Sequence, residues 1–167
     1  MENTNSFFPT RKRNRLKDYD YSINGFYFIT ICVKNKISSF GDVKQSNVFL
    51  NEYGQIIKQS LLNINNRFSC CEIDYYIIMP NHIHFILNIE NKYQEEKCNV
   101  SEIIRVFKSI TTIELHKHGL VNFKWQRSFY DRIIRNEKEL FHIRNYIEQN
   151  PLRWEIEKDN PENIDLY

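Results

Sequence analysis

Ile73-Asp74-Tyr75-Tyr76-Ile77-Ile78-Met79-Pro80-Asn81-His82-Ile83-His84-Phe85-Ile86-Leu87-Asn88-Ile89 is the stretch that decides the fold. Two runs rich in β-branched and aromatic residues flank Pro80-Asn81, a pair that turns a chain and has no place inside a central strand ladder. They predict a hairpin. Side chains alternate faces along a strand, so Ile83, Phe85, Leu87 and Ile89 share the face that a core claims, while His82 and His84 share the other. Two imidazoles on one face, turned to a cleft, a helix or solvent, suit a shared divalent cation.

Outward from the hairpin, the run from Phe26 to Val33 reads as a buried strand. Tyr53, Ile56, Ile57, Leu61 and Ile64 recur at helical spacing and predict a helix over 51–67. A second helical pattern opens at Ser101 with Ile103, Ile104, Phe107, Ile110 and Leu115 on one side and Arg105 and Lys108 on the other flank. Residues 125–134 read as extended, with Trp125, Phe129 and Tyr130 interleaved among Lys124, Arg127, Arg132 and Arg135. Asn136 offers an N-cap with Glu139 three positions on, and the stripe Leu140, Ile143, Ile147 predicts a helix that Pro151 ends. Strand, helix, hairpin, helix, strand, helix in that order implies an α+β fold, an antiparallel sheet with helices packed on it.

A chain of 167 residues suits one domain with a real core. Residues 1–20 read as a basic arm, 21–157 as the folded domain and 158–167 as a tail. Net charge is only +2, yet five of the seven residues from Arg11 to Lys17 are basic, a concentration that suits a polyanion. Arg11, Lys12, Arg13 and Arg15 are therefore candidate polyanion contacts. Alanine is absent, so periodicity is a better guide here than helix propensity. Cys32, Cys70, Cys71 and Cys98 include no C-x-x-C spacing, so neither a zinc site nor a disulfide framework is expected, and the chain reads as reduced and cytoplasmic. No apolar run is long enough for a membrane span and no secretory leader is evident, so no membrane partner is expected.

The last predicted helix adds chemistry to the histidine pair. Tyr146 and Asn150 are four apart and so neighbours on one helical face, with His142 one turn earlier. Asn150 can supply an amide oxygen to a cation already held by two imidazoles, and the phenol beside it can attack what that cation polarises.

With these residues in view, the chain resembles the REP-associated tyrosine transposases of the HUH single-strand endonuclease superfamily. The strings that carry the resemblance are Arg15-Leu16-Lys17-Asp18-Tyr19-Asp20-Tyr21, Tyr27-Phe28-Ile29-Thr30-Ile31-Cys32, Leu50-Asn51-Glu52-Tyr53-Gly54 and Met79-Pro80-Asn81-His82-Ile83-His84. Phe107-Lys108-Ser109, Trp125-Gln126-Arg127-Ser128-Phe129-Tyr130-Asp131 and Ile143-Arg144-Asn145-Tyr146-Ile147-Glu148-Gln149-Asn150-Pro151 follow in the same order. The resemblance implies a ferredoxin-like (RRM-like) fold, His82 and His84 as metal ligands, Tyr146 as nucleophile and Asn150 as third ligand. Relatives carry Gln or another polar side chain at the third position, so His142 stands as the alternative. It further implies a divalent cation, Mg²⁺ or Mn²⁺, and a single-stranded DNA substrate with hairpin structure. Cleavage and rejoining would pass through a 5′-phosphotyrosine, Tyr130 being the next candidate nucleophile. Lys108, Arg127 and Arg132 are candidate phosphate contacts, and Trp125, Phe129 and Tyr130 are candidates for base stacking. A homodimer is compatible with the wider superfamily, whose members can share the tyrosine helix between subunits. Two other readings remain open: a catalytically silent nucleic-acid-binding module, and a metal hydrolase that activates water.

Overall fold

Along residues 19–92 and 97–157, which the computed structural model describes, the chain runs β1 (Gly25–Cys32), β2 (Gly41–Lys44), β3 (Asn47–Leu50), α1 (Glu52–Leu62), α2 (Ile64–Arg67), β4 (Cys71–Ile78), β5 (His82–Ile89), α3 (Val100–Lys117), β6 (Tyr130–Ile134) and α4 (Glu137–Glu157). Arg11, Lys12, Arg13 and Arg15 of the basic arm, and the tail of 158–167, lie outside the described residues.

The main sheet is antiparallel throughout, in the order β4-β5-β1-β6. β1, α1, β4, β5, α3 and β6 thus form the βαββαβ arrangement of ferredoxin-like folds. The expected hairpin is present, with Met79 N–H donating to the His82 carbonyl (2.8 Å) across Pro80-Asn81. Alternation along β1 and β5 sorts the side chains onto two faces. Tyr27, Ile29 and Ile31 join Ile83, Phe85, Leu87 and Ile89 in one core with Ile57 and Leu61 of α1 and Ile103, Ile104, Phe107 and Leu115 of α3. Each such side chain contributes about 1.5–3 kcal/mol of transfer free energy when fully buried. The opposite face holds a smaller cluster, in which Phe28, Ile86 and Ile134 meet Leu140, Ile143 and Ile147 of α4. That second cluster lays the last helix across the face that carries the histidines.

α4 begins as its sequence predicts: Glu139 N–H donates to Asn136 Oδ1 (2.9 Å), and Glu139 Oε2 in turn accepts from Arg135 N–H (2.9 Å). It does not end where predicted. Pro151 lies inside the helix, which continues to Glu157. An interior proline costs about 3 kcal/mol, and contacts beyond it offset that cost. Glu155 Oε2 accepts from Ser46 N (2.7 Å) and Oγ (3.1 Å), Arg153 lies over the Tyr146 ring, and Trp154 faces His82. Two residues before Tyr146, Arg144 donates through Nε to Asp74 Oδ2 on β4 (2.9 Å) and through Nη2 to Oδ1.

Other departures have local causes. The helix expected over 51–67 breaks at Asn63 into α1 and α2. The β2–β3 hairpin is absent from the sequence reading because its turn, Gln45-Ser46 (φ 50° and 57°), lacks the Asn-Gly or Asp-Gly pair that advertises two left-handed residues. The expectation of no disulfide is corrected: Cys70, just before β4, is bonded to Cys98, just before α3, with Cα atoms 5.9 Å apart. These cysteines lie 28 residues apart, and only the sheet and α3 bring them together. Cys32 and Cys71 are free. Among the described residues, no helix is long and apolar enough to cross a membrane.

Candidate active site

Strand register builds the centre of the site. Cys32 pairs with His82, Thr30 with His84 and Phe28 with Ile86 on β1 and β5, while β6 sets Tyr130 beside Thr30 and Arg132 beside Phe28. One rung of the sheet therefore reads Tyr130, Thr30, His84. The His82 and His84 rings lie 4.6 Å apart at their centroids, and His84 stacks on Phe28 at 5.3 Å.

The hydrogen bonds fix how the imidazoles are presented. Asn81 Nδ2 donates to the Lys36 carbonyl (3.0 Å), which turns Asn81 Oδ1 toward His82 Nδ1 at 2.7 Å. An amide oxygen only accepts, so Nδ1 carries the proton and the lone pair resides on Nε2. His84 Nδ1 shares a 2.8 Å hydrogen bond with Thr30 Oγ1, again leaving Nε2 for another partner. Burial pushes His82 down to about 4, against the opposing pull of a hydrogen bond with Asn150; burial, with His82 nearby, holds His84 well below its ordinary value. Both rings are accordingly neutral near pH 7, the form that binds metal.

α4 closes the site from above. The Tyr146 ring is 5.4 Å from that of His84 and edge-on to Phe28 at 5.8 Å. Asn150 is buried, 7% exposed, while His142 is exposed at the rim. One chain thus supplies both the histidine pair and the tyrosine helix to a single cleft of about 810 Å³. Tyr130, Arg132, His142 and Arg153 line the same cleft.

A divalent cation fits this donor set. Two neutral imidazoles, with the Nε2 lone pair of His82 set by Asn81, and a buried amide at His82 together offer two nitrogens and an oxygen, donor types that suit a divalent cation. Among the described residues, no three His, Cys, Asp or Glu side chains converge, so His82 and His84 would rely on Asn150, water and phosphate oxygens to complete the shell. Cys32 also lines the cleft, but burial pushes its thiol up and keeps it from acting as a thiolate at neutral pH.

The remaining sequence candidates divide. Trp125 and Phe129, read as base-stacking candidates, are instead core residues: both are buried, and Trp125 Nε1 donates to Thr111 Oγ1 (3.0 Å). Tyr130 is exposed in the cleft. Lys108 is half-buried, and its Nζ donates to the carbonyls of Gln126, Arg127 and Ser128, which ties it to the loop before β6. Arg132 is on the cleft wall, its Nε donating to Glu139 Oε1 (2.7 Å). Arg127 is exposed outside the cleft. Sequence reasoning missed Thr30, Asn81, Arg153 and Trp154. Thr30 was legible as a lone hydroxyl at the histidine-facing register of an apolar strand; Arg153 and Trp154 were hidden by ending the helix at Pro151.

Residues 27–150 match the family model described as Transposase IS200 like. An uncharacterized protein of Haemophilus influenzae is 38% identical, over 87% of this chain and 90% of its own length. A REP-associated tyrosine transposase of Escherichia coli is 26% identical, over 80% of this chain and 70% of its own. Among solved structures, that of a REP-associated tyrosine transposase bound to a REP hairpin superposes with a TM-score of 0.62 at 24% identity, covering 83% of this chain and 73% of that one.

Proposed function

The chain belongs to the IS200-like transposase family, and on that premise we propose that it cuts and rejoins single-stranded DNA through a covalent 5′-phosphotyrosine on Tyr146. The observation that carries this reading is the meeting of His84 and Tyr146 within one chain, ring centroids 5.4 Å apart, beside His82 and Asn150.

Tyrosine has an ordinary pKa near ~10 and is a weak nucleophile at pH 7, so catalysis rests on placement and on polarising the phosphate. A divalent cation on His82, His84 and Asn150 would supply Lewis acidity to a non-bridging phosphate oxygen. The buried amide supports Asn150 over the exposed His142 as the third donor. α4 directs the phenol: its apolar stripe and the Asp74–Arg144 pair fix the helix, and Phe28 braces the ring. Arg153, with Cζ 5.2 Å from the ring centroid, favours negative charge growing on the phenolic oxygen. Attack forms the tyrosyl O–P bond and breaks the P–O3′ bond; the phenolic proton leaves and the departing 3′ oxygen gains one. One phosphodiester is exchanged for another of similar energy, so a free 3′ hydroxyl can reverse the step and join a new strand without an energy source.

A stacked duplex hinders in-line approach by a helix-borne phenol, which favours a single strand. The hairpin bound by the structural neighbour supports a hairpin beside the cleavage point. Arg11, Lys12, Arg13, Arg15, Arg127 and Arg132 are the proposed backbone contacts, and one subunit is sufficient for the chemistry.

The test is to incubate the protein with labelled single-stranded oligonucleotides, hairpin-bearing and random, plus Mn²⁺ or Mg²⁺, and to look for an adduct that survives denaturation. It should form with the wild type and vanish in Tyr146→Phe, in His82→Ala and with chelator. An adduct retained by Tyr146→Phe moves the nucleophile to Tyr130. Cleavage without adduct indicates a hydrolase, and binding without cleavage a silent module.

A further inference from the structure

A second concavity of about 570 Å³ lies beside the catalytic cleft, lined by Lys34, Asn35, Lys36, Lys124, Trp125, Gln126 and Arg127. Lys36 and Gln126 line both cavities, so the two adjoin. The groove carries four cations and no acidic residue. Lys34, Lys36, Lys124 and Arg127 are all exposed, and among the described residues none of them pairs with a carboxylate.

The walls are built rather than incidental. Val33 and Trp125 form an antiparallel bridge, Lys34 N–H donates to the Lys124 carbonyl (2.8 Å), and Gln126 N–H to the Cys32 carbonyl (2.8 Å). Asn35 and Lys36 hold left-handed conformations (φ 58° and 53°), and the carbonyl of Lys36 is clamped by Asn81, the residue that orients His82. Opposite, Lys108 Nζ binds the carbonyls of Gln126, Arg127 and Ser128. A left-handed backbone at non-glycine residues is uncommon and persists where neighbours over-determine it.

From this placement we infer that the groove is the exit track for the strand that flanks the scissile phosphate, holding two or more consecutive phosphates on Lys34, Lys36, Lys124 and Arg127. The inference rests on the proposed cleavage of single-stranded DNA and deepens it. A strand threaded through the cleft is continuous and must leave across some surface. The groove is a positive channel, uncompensated among the described residues, that adjoins the cleft. It grips backbone and not bases, because its one aromatic ring, Trp125, is turned into the core. The gain from a longer flank is therefore independent of flank sequence.

The experiment compares binding of a strand of about 5 nucleotides spanning the cleavage point with strands of about 15, extended on the 5′ or the 3′ side. The double variant Lys34→Ala/Lys124→Ala of the full chain is measured alongside wild type. One of the two extensions should tighten wild-type binding, and the variant should lose most of that gain, with a salt slope flatter by about 1.4, near 0.7 for each lost phosphate contact. Flanks of different sequence should give the same gain. A variant that keeps the full length advantage and the wild-type slope overturns the groove assignment. Failure of the parent reading looks different: wild type then gives no Tyr146-dependent adduct on any strand, whatever the binding data.

Discussion

Thr30→Val removes a single hydroxyl and leaves the β-branched shape that strand β1 favours. Thr30 Oγ1 is 2.8 Å from Nδ1 of His84, a residue only 5% exposed, so water has little access to replace the lost partner. Two routes give the size of the effect. Leaving a buried polar nitrogen without its hydrogen bond costs about 1–3 kcal/mol. Removing the outer partner of a metal-binding histidine lowers metal affinity or activity about 10–100-fold, which is about 1.4–2.8 kcal/mol. The two ranges overlap, as expected if one bond both orients the ring and satisfies it. Titration calorimetry with Mn²⁺ should show that 10–100-fold loss, and the initial rate of adduct formation at subsaturating Mn²⁺ should fall in parallel. Thr30→Ser, which restores the hydroxyl, should recover most of both. Thermal unfolding monitors the fold: about 1 kcal/mol corresponds to roughly 2–4 °C at this size, so a loss beyond about 10 °C would mean wider damage. If Thr30→Val bound Mn²⁺ as tightly as the parent while keeping its fold, the proposed metal role of His84 would fail.

Further outcomes test other parts of the molecule. Gly54→Ala would put a Cβ 2.2 Å from the Phe40 carbonyl, where α1 approaches the chain closely, and should cost about 1–3 kcal/mol in urea unfolding; an unchanged midpoint contradicts that packing. Arg144→Met removes the forked pair that ties α4 to Asp74, a partly exposed contact worth about 1 kcal/mol, and should slow adduct formation more than it lowers the melting temperature. Equal adduct rates would show that the apolar stripe positions Tyr146 unaided. Deleting residues 1–17 should weaken binding to single-stranded DNA and flatten its salt dependence by up to about 3.5, five cations at near 0.7 each; an unchanged slope removes the arm from the interface.

The sequence alone determined the two-faced strands, the Pro80-Asn81 hairpin, the Asn136 cap and the assignment of His82 and His84 to the face opposite Ile83 and Phe85. These features are written in spacings of two to four residues, which alternation, helical periodicity and capping convert directly into local geometry. Tertiary structure alone decided what covers each face. It brought Tyr146 over His84, carried α4 through Pro151 so that Arg153 and Trp154 reached the cleft, and turned Trp125 and Phe129 into the core. It also engaged Lys108 with backbone carbonyls and joined Cys70 to Cys98. A long amphipathic side chain, an aromatic ring or a thiol is equally at home in several environments, and its role is settled by surfaces contributed from distant parts of the chain, information that no local pattern contains.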